Sequence, residues 1–364
     1  MKDIFVRGYV RTGNRFRSIR EQLVKSENLP VYAYPYKNLV FKGGGIRGIA
    51  YVGALEILEK YGILSQVERV AGTSAGAITA TLVSLGINYK ETLEKLQSLD
   101  FTKIPQIRTS HTKPHELLSS LGLRNGELVC TSRLINEYGW YSSQYFYDWL
   151  QDTIALYCNG NGKATFADFH ERGFRELSIV ATNLSKRRPE IFSLKTTPQV
   201  AVADAVRMSM SIPFYFNALR FDGHQFGEGD LYVDGGMYNN FPIQIFDDPI
   251  YARKNPWFIK GINWQTLGCY LYPEQTEEKI SKETNSLRDY LELTVSNFFD
   301  AFQAMSYENS FLDQRRTIKI NDCGISPVEF NIPVDSPLYF KLIYSGREAT
   351  EEFLRTEFPK DIFV

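Results

Sequence analysis

The chain has 364 residues, of which 41 are Lys or Arg and 42 are Asp or Glu, so its formal net charge is −1. Hydrophobic residues make up 43% and charged residues 23%, a globular composition that buries a core and excludes wholesale disorder. The balanced charge gives no electrostatic footprint for nucleic acid, while a 14% aromatic share, with 25 Phe and 22 Tyr, has to find a place.

Residues 1–37 read as a basic N-terminal arm. Met1 to Lys25 carries Lys2, Arg7, Arg11, Arg15, Arg17, Arg20 and Lys25 against Asp3 and Glu21. With no apolar h-region, a cleaved signal peptide is not expected. The arm reads as a solvated face, with an anionic membrane surface as the alternative.

From Asn38 the pattern sharpens. Leu39-Val40-Phe41 is a buried-strand run stopped by Gly43-Gly44-Gly45. Apolar residues from Ile46 to Tyr61 follow helical spacing, with Gly62 as the stop. A strand over 67–71, a helix over 75–85 and a helix over 89–99 come next. The uncharged run Val70 to Tyr89 has the length of a membrane span, but Gly72, Thr73, Ser74, Gly76, Thr79 and Thr81 make it a strand, turn and helix of a packed fold. Residues 100–131 are polar and irregular.

Further along, helices are expected over 141–156 and 200–208, and strands over 177–181 and 231–233. Residues 255–271 look strand-rich. Leu287, Leu291, Val295, Phe298, Phe299 and Phe302 recur at helical intervals within 274–309, and Ser345-Gly346-Arg347-Glu348 reads as a capping box opening a last helix. Strand–turn–helix repetition predicts an α/β fold: a mostly parallel central sheet flanked by helices, with a mainly helical C-terminal extension. The expected division is 1–37, a principal domain over 38–250, and a remainder over 251–364 that finishes the sheet and adds helices.

Cys130, Cys158, Cys269 and Cys323 lack paired spacing, so neither a metal cage nor a disulfide framework is expected. His111, His115, His170 and His224 sit in polar or Gly-rich surroundings and read as surface residues. Tyr138, Trp140, Tyr141, Tyr145, Phe146, Tyr147 and Trp149 form a dense aromatic cluster, expected mainly as core packing, with an acyl channel or membrane contact as the alternative.

Three motifs carry chemistry. Gly72-Thr73-Ser74-Ala75-Gly76 fits G-x-S-x-G, in which near-side-chain-free neighbours let a strained turn present a serine at a helix N-terminus. Gly43-Gly44-Gly45-Ile46-Arg47-Gly48 has two readings, an oxyanion-stabilising turn or the G-x-G-x-x-G of a dinucleotide site. The latter wants an acidic residue closing the second strand, and Glu68 stands at that strand's start instead. Asp234, before Gly235-Gly236 and after Leu231-Tyr232-Val233, stands where open α/β sheets gather their sites.

Together, GGGIRG, GTSAG and DGG, with Met208-Ser209-Met210-Ser211-Ile212-Pro213 and Asn239-Asn240-Phe241-Pro242 around the third, resemble the patatin-like phospholipase family over residues 38–245. The resemblance implies a three-layer sandwich related to the α/β-hydrolases and a lipid acyl hydrolase of phospholipase A or lysophospholipase type. It implies Ser74 as nucleophile and Asp234 as general base, with no histidine, metal or cofactor. The loop of Gly43 to Gly48 would form the oxyanion hole, through the N–H groups of Gly44, Gly45 and Ile46 with Arg47 adding positive charge. A general esterase or acyltransferase is the same-fold alternative, and a nucleotide-binding protein using GGGIRG the alternative of another class. The implied partners are a membrane phospholipid or other lipid ester and, as for some toxins of this kind, a protein activator. Cytoplasmic residence with peripheral membrane contact is expected, delivery as a secreted effector being left open.

Overall fold

The computed structural model describes residues 34–104, 132–273, 290, 291, 293–295, 297, 307 and 310–357. The basic arm up to residue 33, Cys130, His111, His115 and Phe298, Phe299 and Phe302 lie outside the described residues.

Strand β1 (Asn38–Phe41) is buried along its whole length, as a continuous apolar run in the middle of a parallel sheet should be. After the glycine loop a 3₁₀ turn (Gly45–Ile49) leads into α1 (Ala50–Lys60), and Gly62 leaves it with φ +70°. Strand β2 (Arg69–Thr73) is followed by α2 (Ala75–Ser84), and α3 (Tyr89–Ser98) is capped by the Asn88 side chain on the Glu91 N–H. Then come β3 (Gly139–Tyr141), α4 (Gln144–Tyr157), α5 (Phe166–Glu171), β4 (Glu176–Asn183), β5 (Arg188–Ser193) and α6 (Val202–Ser209). The remaining elements are β6 (Phe214–Phe216), β7 (Leu219–Phe221), β8 (Asp230–Asp234), β9 (Phe258–Ile259), β10 (Ile262–Asn263), β11 (Thr266–Tyr272), α7 (Phe311–Gln314), β12 (Thr317–Asn321) and α8 (Pro337–Glu352).

Eight strands form one mixed, mostly parallel sheet in the order β12-β11-β1-β2-β4-β8-β7, with β5 also on β4. β12, β11, β1, β2 and β4 run parallel; β5 and β8 pair antiparallel with β4, and β7 pairs antiparallel with β8. The sheet therefore extends past residue 250, since β11 and β12 continue it on the far side of β1. Among the described residues no helix is long and apolar enough to cross a membrane.

The end of the chain departs from the sequence reading. The last helix starts at Pro337, with the Ser336 side chain accepting the Tyr339 N–H, so Ser345 to Glu348 lie inside α8 rather than at its start. Gly346 is a crossing point. A Cβ on it would lie 1.8 Å from the Ala50 carbonyl oxygen, and a Cβ on Gly53 would lie 1.9 Å from that of Ile343. Two glycines thus let the backbones of α1 and α8 touch. Ser345, instead of capping, donates to the Asn321 carbonyl at 2.7 Å.

Most of the aromatic cluster is core. Tyr141, Phe146 and Tyr147 are buried, Trp140, Tyr145 and Trp149 pack against the same core, and Tyr138 is half exposed.

Candidate active site

Strand pairing brings the serine and the aspartate together. Val180 of β4 faces Thr73 at the end of β2, and the next residue, Ala181, faces Asp234 at the end of β8. β5 occupies the other side of β4, pairing Val180 with Ile191 and Ala181 with Glu190. β2 and β8 therefore meet end to end along one edge of β4, and Ser74 emerges at the level of Asp234. The Ser74 side chain stands close enough to the Asp234 carboxyl to favour its ionised form.

The serine turn is strained and tightly enclosed. Ser74 has φ +54° and ψ −124°, a conformation that costs about 1–3 kcal/mol for a residue with a side chain. Its neighbours must be glycines. A Cβ on Gly72 would lie 2.2 Å from the Gly76 carbonyl, and one on Gly76 would lie 2.2 Å from that of Phe41. The Ser74 N–H donates to Ser209 Oγ at 2.8 Å, and that hydroxyl donates to the Val180 carbonyl at 2.6 Å. Ala75, the first residue of α2, touches the glycine loop: a Cβ on Gly48 would lie 2.9 Å from its Cβ.

The aspartate turn is held by backbone. Asp234 Oδ1 accepts the Gly236 N–H at 2.7 Å, and Gly235 packs so closely that a Cβ would lie 2.2 Å from the Val180 carbonyl. Thr73 Oγ1 donates to the Asn239 carbonyl at 2.9 Å, tying the two turns together. Burial raises the Asp234 carboxyl to about 7, while the Ser74 side chain and the hydrogen bond from Gly236 act in the opposite direction.

In the glycine loop most donors are taken. The Gly43 N–H donates to the Asn240 carbonyl at 3.0 Å, that of Ile46 to the Pro327 carbonyl at 3.1 Å, and that of Arg47 to the Gly44 carbonyl at 3.2 Å. Among the described residues no acceptor is bonded to the Gly44 or Gly45 N–H. The expected donor set therefore narrows from Gly44, Gly45 and Ile46 to the first two. Arg47 also differs from the sequence reading. Its guanidinium is buried and paired with Asp322 at 2.6 Å, so its charge is matched within the loop's own support.

Gly45 and Ser74 line one cavity, whose empty space including the part open to solvent is about 560 Å³. Its walls are apolar, with Ile78, Leu99, Phe146, Ile212, Phe216 and Phe330 among them, and among the described residues no histidine lines it. His170 and His224 are exposed, while Cys158 and Cys269 are buried. Glu68, the acidic residue a dinucleotide site would need, sits before β2, at the end of the strand opposite the loop, and pairs with Lys37 at 3.0 Å and Arg69 at 3.3 Å. Asp322, Pro327 and Phe330 escaped the sequence reading, and Ser209 entered it without a role. Only Ser209 carried a local signal, in the run before Pro213.

The model of the patatin-like phospholipase family matches residues 39–247, more than half of the chain. Among curated proteins, the uncharacterized protein R571 of Acanthamoeba polyphaga mimivirus is 28% identical over 315 residues, covering 83% of this chain and 89% of its own. The probable lipid hydrolase 463L of Invertebrate iridescent virus 6 is 26% identical over 227 residues, covering 62% and 69%. Among solved structures, VipD from Legionella pneumophila superposes with a TM-score of 0.53 at 19% identity, covering 89% of this chain and 67% of that one. That likeness speaks for the fold.

Proposed function

The chain belongs to the patatin-like phospholipase family, and from that premise we propose that it hydrolyses fatty-acyl esters of membrane lipids, of phospholipase A or lysophospholipase type, through a Ser74–Asp234 dyad. The observation that carries the reading is the meeting of Ser74, in a strained turn at the wall of an apolar cavity, with the buried Asp234 at the end of the strand that adjoins it along β4. A serine hydroxyl is a poor nucleophile until a base accepts its proton. Asp234, raised to about 7, is matched to that task near neutral pH.

Ser74 Oγ attacks the ester carbonyl while its proton passes to Asp234. The negative charge that develops on the carbonyl oxygen is met by the Gly44 and Gly45 N–H groups, donors that need no reorganisation. Collapse of the tetrahedral species expels the alcohol, which leaves with the proton from Asp234, and an acyl-enzyme remains. Asp234 then takes a proton from water, and the hydroxide attacks the acyl carbon to release the fatty acid and restore Ser74. The cavity beside Ser74 would hold the acyl chain out of water during both steps.

The test is fatty-acid release from mixed phospholipid vesicles, with a soluble short-chain ester run in parallel. Release by wild type and silence from Ser74→Ala and Asp234→Asn support the reading. Cleavage of the soluble ester alone would move the substrate class to general esters, with the dyad intact. Undiminished hydrolysis by Ser74→Ala would refute the dyad.

A further inference from the structure

The glycine loop is held by a segment that lies far outside the family match. Directly after β12, Asp322 is buried, with Oδ2 accepting from Arg47 Nη1 at 2.6 Å and Oδ1 accepting the Gly324 N–H at 2.9 Å. Arg47 Nε in turn donates to the Gly44 carbonyl at 3.1 Å. Five residues past Asp322, the Pro327 carbonyl accepts the Ile46 N–H at 3.1 Å. The same carbonyl presses against Gly45, where φ is +57° and a Cβ would lie 1.8 Å from the oxygen. Phe330 then forms part of the cavity wall.

These contacts determine where an oxyanion donor points. The Gly44 carbonyl and the Gly45 N–H belong to one planar trans peptide, so they point in opposite directions. Arg47 draws the carbonyl towards itself through Nε and through its own backbone N–H, and the Gly45 N–H must face the other way. The next peptide is fixed as well, because Pro327 holds the Ile46 N–H. The plane that carries the Gly45 donor is therefore set by a guanidinium, and the guanidinium is set by Asp322.

We propose that Asp322 is a positioning residue of the ester-hydrolysing site, aiming the Gly45 N–H at the developing oxyanion by locking Arg47 onto the Gly44 carbonyl. The proposal rests on the reading of Ser74 as nucleophile. It makes the segment 322–330 part of the working site, although no motif in the sequence marks it. Because the interaction is made to the transition state rather than to the bound ester, its loss should fall on kcat and spare KM.

The experiment uses the full chain and a soluble p-nitrophenyl ester, comparing wild type, Asp322→Asn, Asp322→Glu and the double variant Arg47→Met with Asp322→Leu. Asp322→Asn is expected to lower kcat by about 10²-fold, the scale of a 1 Å misplacement, with KM within about twofold. Asp322→Glu should recover part of that loss by restoring the carboxylate. The double variant leaves no buried charge unpaired, so it decides the matter if Asp322→Asn does not fold, and it should be as slow. A folded variant with wild-type kcat, or a loss confined to KM, would overturn the proposal. Amide hydrogen exchange over residues 43–48 supplies a readout that does not depend on the nucleophile. Exchange there should be faster in Asp322→Asn, and unchanged exchange would also overturn it. Hydrolysis that survives Ser74→Ala would instead sink the dyad reading, leaving the exchange result to judge Asp322.

Discussion

Asp234 and Asp313 are both buried carboxylates, yet they are held in opposite electrostatic states. Asp313 sits in a cluster around Arg316, whose guanidinium reaches Asp313 Oδ1 at 2.6 Å and Asp247 at 2.6 and 2.7 Å. Burial alone would raise the Asp313 carboxyl, but the Ser310 hydroxyl, the Arg316 charge and Gln244 outweigh it and hold it below the usual range. Asp234 has a hydroxyl and one backbone N–H, and burial carries it up to about 7. Desolvation is common to the two places; the cation is not. With a cation a buried carboxylate is a structural clamp, and with a hydroxyl alone it is a base waiting for a proton.

Removing the hydroxyl tests the second half of that contrast, and the effect should be the largest available. Ser74→Ala keeps the Cβ at the strained turn and deletes only the nucleophile. Ester hydrolysis should fall by a factor on the order of 10⁴ to 10⁶, with a circular-dichroism melt close to wild type.

Removing the cation tests the first half. Arg316→Met would leave the buried Asp313 and the half-buried Asp247 without their shared partner, which should cost about 3–5 kcal/mol in urea unfolding. The folded fraction should retain most of its kcat, since Arg316 is not among the residues lining the cavity. A large loss of kcat with unchanged stability would break the distinction between the two carboxylates.

Asp234→Asn sharpens the comparison through pH. The carboxyl titrates at about 7 in the folded chain and at about 3.9 when unfolded, so between those values the native state binds the extra proton. The stability it contributes is fully present below about 4 and is lost as pH rises through about 7, at most about 4 kcal/mol. The Asn variant escapes that loss. At pH 9 it should melt above wild type while hydrolysing nothing, and near pH 4 the two should melt together. In wild type, kcat/KM should rise with pH and level off above about 7, because the base must be ionised to accept the serine proton.

Where the site was legible in the sequence, the reason was steric. Gly72, Gly76 and Gly235 meet backbone oxygens at 2.2 Å in place of a Cβ, so the motif spells out a packing constraint in neighbouring residues. The parallel strands β1, β2 and β4 were legible because both faces are buried. β5 was not, since Arg188-Pro189-Glu190 reads as a loop. Among the described residues it pairs only with β4, and an edge strand tolerates a proline and charges. Ser345 to Glu348 were misread because a Ser-x-x-Glu spacing inside a helix looks like one that opens it until the cap at Ser336 is known. Asp322 could not be found at all. Its partner lies 275 residues away, and a single acidic residue after a strand carries no local pattern.

The smallest effect belongs to the cavity, whose walls can change without touching either carboxylate. Leu99 lines it together with Ser74, and Leu99→Phe adds bulk where an acyl chain would lie. If the cavity holds that chain, long acyl esters should suffer more than short ones. A hydrophobic pocket discriminates by about 1–3 kcal/mol per methylene, so the ratio of kcat/KM for a long-chain to a short-chain p-nitrophenyl ester should drop by about tenfold or more. The pH profile should not move, because the environment of Asp234 is unchanged. A uniform loss across chain lengths would place the acyl chain elsewhere, and a shifted pH profile would mean that the cavity wall and the Asp234 carboxylate are coupled.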